Sequence, residues 1–172
     1  MYDLTGLRNW LVYQLYQHTD TPMVPQNSPD SRPPKPFNTY NFISPYIRQP
    51  AQPAMTTKEE IVNGESWIRY ERWELPTLTI SFNSYSNDIT ECWQKAMEIR
   101  EYFALQGYRD LKKEEVIVAS IESMEDRTLL LDETSYEFRV GFDVILRVVS
   151  ETSKLIETIE KADINYKESE NA

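Results

Sequence analysis

His18 is the only histidine and Cys92 the only cysteine in 172 residues. Either side chain can move a proton, attack a carbonyl or hold a metal, but only with partners placed around it. His18 ends a helical pattern, where positive charge is favourable. Neither a second histidine nor a nearby thiol joins it. Cys92 falls on the apolar stripe of another helical pattern, so a buried, inert thiol is expected. One cysteine also excludes an internal disulfide and a cysteine-built zinc cluster. Gly6, Gly64, Gly107 and Gly141 are scattered, so no phosphate-cradling loop is present. Carboxylates remain. "EDRTLLLDE", residues 125–133, holds Glu125, Asp126, Asp132 and Glu133. Paired acids can do acid–base or metal work, but acids beside a turn are usually solvated, and Arg127 is expected to pair with one of them or with a neighbouring chain. The residue inventory therefore points away from an enzyme, a metal site and a cofactor.

Composition narrows the class further. Forty per cent of the residues are hydrophobic, net charge is −10, and mean hydropathy is −0.59. A freely exposed DNA-binding surface needs the opposite sign, because phosphate neutralisation drives that affinity. No apolar run approaches the ~20 residues of a membrane span. The first residues, "MYDLTGLRNWLVYQ", lack the basic segment of a secretory signal, so synthesis in a reducing interior is expected.

These side chains must be positioned by regular elements. Leu4, Leu7, Leu11 and Leu15 recur at helical spacing after Asp3, a candidate N-cap. "TLTISFNSY", 77–85, alternates as a half-buried strand with Leu78, Ile80 and Phe82 inward. A second helix is expected over 89–106, capped by Asp88 with Glu91 three residues on and stopped at Gly107. "VIVASI", 116–121, reads as a buried strand. "ESWIRYERW", 65–73, reads as a strand at an edge or interface, since neither face is cleanly apolar. The clearest pattern is "YEFRVGFDVILRVV", 136–149, where seven apolar residues alternate from Tyr136 to Val148. Fourteen extended residues reach about 46 Å, whereas a compact domain of this length is about 40 Å across. This strand must therefore bend, with Gly141 the candidate, or project. Leu155, Ile156 and Ile159 fit either a short helix or an edge strand.

Residues 20–57 differ in kind. Nine of the ten prolines lie there, three of them in "RPPKP". Proline fixes φ and removes a donor, so an extended arm outside the sheet ladder is expected, its aromatics lying on the surface of its own domain or of a neighbour. The organisation predicted is a helix over 1–19, an arm or loop over 20–57, a body over 58–165 and a frayed tail over 166–172. The fold class is α+β: a mixed, mainly antiparallel sheet with two main helices packed on it. Trp67, Trp73, Tyr13, Tyr16 and the arm exceed what two helices can cover. The candidate interface residues are Phe37, Tyr40, Phe42, Tyr46, Trp67, Trp73 and Arg127.

The order of features resembles the neck or tail-terminator proteins of tailed bacteriophages, over roughly residues 4–164. The resemblance rests on Ile80-Ser81-Phe82 before the second helix, Asp126-Arg127 in the loop, and the run from Glu137 to Asp143. It implies a structural protein of the virion that assembles as a ring, commonly a hexamer, in the host cytoplasm. Such a ring caps the tail tube protein and presents a docking face to the head-side connector or stopper protein. DNA passes through its lumen without sequence-specific binding, and no membrane is involved. The reading from another class is a small adaptor that binds proteins by strand addition along 136–149.

Overall fold

The computed structural model describes residues 2–51, 53–133 and 135–157. Helix α1 spans Leu4–Thr19 and is capped by Asp3, whose carboxylate accepts from the Thr5 amide. Four strands follow before the next helix: β1 Met23–Pro25, β2 Phe37–Ile47, β3 Ala54–Val62 and β4 Glu65–Glu74. β5 is Thr77–Ser86, α2 is Ile89–Glu101, a π-helical turn covers Tyr102–Gln106, and α3 is Tyr108–Lys113. The chain then runs through β6 Val116–Ile121, β7 Glu125–Asp126, β8 Leu129–Leu130, β9 Tyr136–Val148 and β10 Ser150–Glu157. This is an α+β fold with mostly antiparallel pairing.

The main sheet runs β1-β2-β5-β9-β6, with β7 and β8 also on β9, beside β6. The alternation read from the sequence sets its faces. Phe82 pairs with Phe142, Ile80 with Val144 and Leu78 with Leu146. All six side chains are buried, and Leu11, Leu15, Cys92, Ala96, Ile99 and Phe103 pack over them from the helices. The α2 cap forms as expected at its first bond, Glu91 N–H to Asp88 Oδ1 at 2.9 Å. The return bond differs from a simple capping box: the Glu91 carboxylate takes the Ser86 hydroxyl instead. Gly107 does not end the helix through a left-handed backbone, since its φ is −78° and α3 follows directly. Space explains it better, because a Cβ there would sit 2.5 Å from the Tyr102 ring.

The proline-rich block is corrected by this sheet. It holds β1, β2 and the start of β3, and β2 is an internal strand between β1 and β5. The prolines are accommodated by position. Pro33, Pro34 and Pro36 precede β2, and Pro25 ends a three-residue edge strand. Pro45 lies where the β2–β5 register slips between Ser44 and Ile47, so its missing N–H costs no regular ladder bond.

β3, β4 and β10 form a second, three-stranded sheet with β4 in the centre. Of the two positions expected for 65–73, the edge is thus corrected, while the strand is half-exposed as an interface strand would be. The short-helix reading of the tail is corrected too, as β10 is an edge strand; Ile159 lies outside the described residues. Asn63 and Gly64 close the β3–β4 hairpin with φ of 54° and 87°, the two-residue turn that Asn-Gly favours.

The two sheets share one strand pair. Thr77 faces Arg147 on one side of the break, and Glu74 faces Ser150 on the other, without a change of register. β4–β5 and β10–β9 are one long antiparallel ribbon, interrupted where Pro76 supplies no donor. The Val148 amide still bonds to the Pro76 carbonyl, at 3.1 Å. The long strand keeps its pairing with β5 through Gly141 and does not stop at the core. It leaves the main sheet at Val149 and becomes part of a projecting blade. β9 itself lies between β5 and β6, so it offers no free edge for strand addition.

Candidate interaction surfaces

The face of the main sheet opposite the helices is polar, and Arg127 organises it. β7 and β8 hold the loop against β9, with the Arg127 amide donating to the Arg139 carbonyl at 2.7 Å. The side chain then crosses Gly141. Its Nη1 donates to Ser81 Oγ at 2.9 Å and Asn83 Oδ1 at 3.1 Å, and its Nη2 to Asp143 Oδ1 at 3.1 Å. Ser81 Oγ in turn donates to Asp143 at 2.7 Å. Glu125 lies 3.5 Å from Arg127 Nε, the one pairing with a loop acid that the sequence anticipated. The three pieces that carry the family resemblance, around Ser81, Arg127 and Gly141–Asp143, thus meet in one network. Nearby, Tyr85 stacks on Phe37 with ring centroids 4.8 Å apart, and the Arg32 guanidinium lies 5.2 Å over its ring. Arg32 also pairs with Glu137 at 2.7 Å.

This network is a latch. The Ser81 hydroxyl rests on the Asp143 carboxylate but also accepts from Arg127, and the cation in turn is satisfied by fixed acceptors. Gly141 makes the crossing possible. A Cβ there would lie 2.2 Å from Asn83 Oδ1, 2.6 Å from the Phe82 carbonyl oxygen and 2.9 Å from Arg127 Nη1. Gly141→Ala is therefore expected to cost about 1–3 kcal/mol through overpacking. Thermal melting checks it, and an unchanged Tm would mean that the guanidinium does not cross at this point.

The expected chemistry-bearing residues are placed apart from one another. His18 packs its ring 5.6 Å from that of Tyr102. Cys92 is fully buried, with Sγ 3.4 Å from the Phe138 carbonyl, and burial pushes its thiol up to about 11. In the fold the thiol stays protonated through pH 8. Alkylation by iodoacetamide at that pH should proceed only as fast as the chain unfolds; rapid labelling of folded protein would contradict the burial. Among the described residues, no three His, Cys, Asp or Glu side chains converge as metal ligands.

The candidate interface residues do not form one site. Phe37 is internal to its own chain at 2% exposure, which removes it from any partner surface. Tyr40 and Phe42 pack half-buried under α1, against the core. Tyr46 is exposed and donates its hydroxyl to Glu74. That bond, with some burial, raises the Tyr46 pKa. Trp67 and Trp73 share one face of the blade, Trp67 half-buried and Trp73 exposed. Trp73 also lines a hollow of about 310 Å³ with Leu75, Pro76 and Val149, at the joint between blade and body. Arg127 is in the latch.

Two further surfaces take shape only in the fold, although the sequence had already marked Tyr13 and Tyr16 as surplus aromatic surface. One is the tip formed by Leu129, Leu130 and Leu131 with Tyr136, all exposed. Its signal was three consecutive leucines in a loop with no helix to bury them, masked by the acids around them. The other is an open groove between α1 and the edge strand β1, about 510 Å³ in volume, bordered by Tyr13 and Tyr16. On the blade, Met55, Ile61 and Ile156 are also exposed.

No helix among the described residues is long and apolar enough to cross a membrane. A search of curated proteins finds no match. A family model described as phage neck terminator protein matches residues 5–171. That span takes in the latch, the main sheet and the blade, and the chain belongs to the phage neck terminator family, whose members are structural proteins of the virion.

Proposed function

We propose that copies of this chain assemble into a ring, most simply of six, that ends the tail tube and joins it to the head-side connector, with DNA crossing the lumen. The observation that carries this reading is the blade. Three strands with water on both faces do not make a stable unit, and among the described residues no helix packs broadly on β3-β4-β10. Met55 is 66% exposed and Ile61 79%. Their cover comes from a neighbouring copy or from the tube. The net charge of −10 supports a lumen that repels phosphate rather than binding it. The like-charged wall leaves DNA free to slide.

The genetic experiment is direct. Phage lacking this chain should make tail tubes of irregular length that do not join heads. Tubes of normal length on filled heads would overturn the reading, as would a particle carrying one isolated copy. At the residue level, Met55→Glu with Ile61→Lys should change the stability of the isolated chain by no more than about 0.5 kcal/mol, as exposed substitutions do. The same pair should lower the yield of head-joined tails several-fold. Equal yields would place the blade outside the assembly contacts.

A further inference from the structure

We propose that neighbouring copies meet head to tail, with the leucine tip of one chain seated in the α1–β1 groove of the next. This rests on the self-association proposed above and names the two surfaces that make it. The sheet places them on opposite edges. Val24 pairs with Thr39, Thr39 with Asn83, Asn83 with Gly141, and Gly141 with Glu125. β1 and β7 therefore lie at one level, four strand spacings apart, or about 19 Å. The groove flanks β1. The tip extends from β7 into β8, about four residues further along β9.

The two surfaces differ in shape and charge. The tip is convex, with Leu130 60% and Leu131 63% exposed, and Asp132 and Glu133 beside it. The groove is concave, lined by Val12, Tyr13, Tyr16, Met23 and Tyr40, with Arg8 at its rim. The Arg8 guanidinium reaches only its neighbour Asn9, at 2.8 and 3.1 Å; among the described residues it has no carboxylate partner. An acidic apolar knob fits a basic aromatic groove.

The tip is also held in shape before any docking. The Arg127 latch fixes one end, and the Leu131 amide bonds to the Ser135 carbonyl at 2.9 Å across the turn. A preorganised knob loses little entropy when it is seated. Two unlike surfaces on opposite edges cannot pair with themselves. They generate a head-to-tail series, which closes as a ring when the rotation per copy allows it.

The test uses assembled particles carrying Leu130→Cys and Tyr13→Cys in one chain, treated with a short bismaleimide. Both positions are exposed, so the substitutions spare the fold. The expected result on a denaturing gel is a ladder of three or more joined chains, with each single variant giving none. An amine cross-linker on the same particles separates the two claims. If it yields a ladder while the cysteine pair does not, copies are neighbours but these surfaces are not in contact, and the inference falls alone. If neither yields a ladder, self-association falls with it.

Discussion

Replacing Phe142 by aspartate is expected to leave no soluble, folded chain. Phe142 is fully buried and pairs across the sheet with Phe82, with ring centroids 6.2 Å apart. Val140 and Val144 flank it on the same face of β9, and Phe103 closes the other side of Phe82 at 5.3 Å. Among the described residues none of the buried side chains is a lysine, arginine or histidine that could pair with the new carboxylate. The variant would lose the ring's contribution, about 3–5 kcal/mol for a large-to-small change. It would also bury an uncompensated carboxylate, worth several kcal/mol more. The total falls within the range of about 5–15 kcal/mol that holds a domain together. Circular dichroism of the soluble fraction checks it. A variant with the native spectrum and melting curve would mean that β9 presents its other face to the helices.

The second large effect reverses the sequence reading of the proline-rich block. Residues 32–50, replaced by a short Gly/Ser bridge, should be lost at the expense of the fold, not only of assembly. The deletion removes all of β2. Phe37, Asn38 and Thr39 are buried, and Ser84 Oγ donates to Asn38 Oδ1 at 2.7 Å inside the sheet. Tyr40 and Phe42 leave the floor beneath α1. Among the described residues, β5 loses one of its two partner strands and β1 its only one. Phe37, Tyr40 and Phe42 together account for roughly 5 kcal/mol of apolar burial. Each kcal/mol moves the Tm of a chain this size by about 2–4 °C, so a fall of at least 10 °C or complete unfolding is expected. A deletion variant that melts like the intact chain but fails in assembly would restore the arm.

The unbroken register from body to blade has a mechanical consequence. Because β4–β5 and β9–β10 continue across the joint, movement of the blade is resisted by the same strand pair that crosses the core. A contact made on the blade is thereby tied to the sheet that carries the latch and the leucine tip. A surface on a continuous ribbon is held more rigidly than one on a free loop.

Local pattern was enough for much of this molecule. Strict alternation in 77–85 and 136–149 identified the two central strands and the faces they turn to the helices, since side-chain direction in a strand depends only on residue parity. The half-buried reading of 77–85 is corrected, because Thr77, Ser81, Asn83 and Tyr85 on its other face are buried too. Asp3 and Asp88 marked both helix starts, because a cap is a bond between residues two or three apart. The order of those elements, with Ser81, Arg127 and Gly141–Asp143, carried the family resemblance. What the sequence alone left undetermined depends on residues that meet from far along the chain. Proline density argued against a strand in 37–47, yet Asn38 meets Ser84 at a separation of 46 residues, and pairing outweighs local propensity where its register lets the prolines fall outside the ladder. Arg127 looked like a loop cation until Ser81, also 46 residues away, and Asp143 were brought beneath it. The leucine tip and the groove acquire meaning only from strand order, which puts them on opposite edges of one sheet. Composition reports how much apolar surface a chain has; only the folded sheet decides which part of it is left without cover.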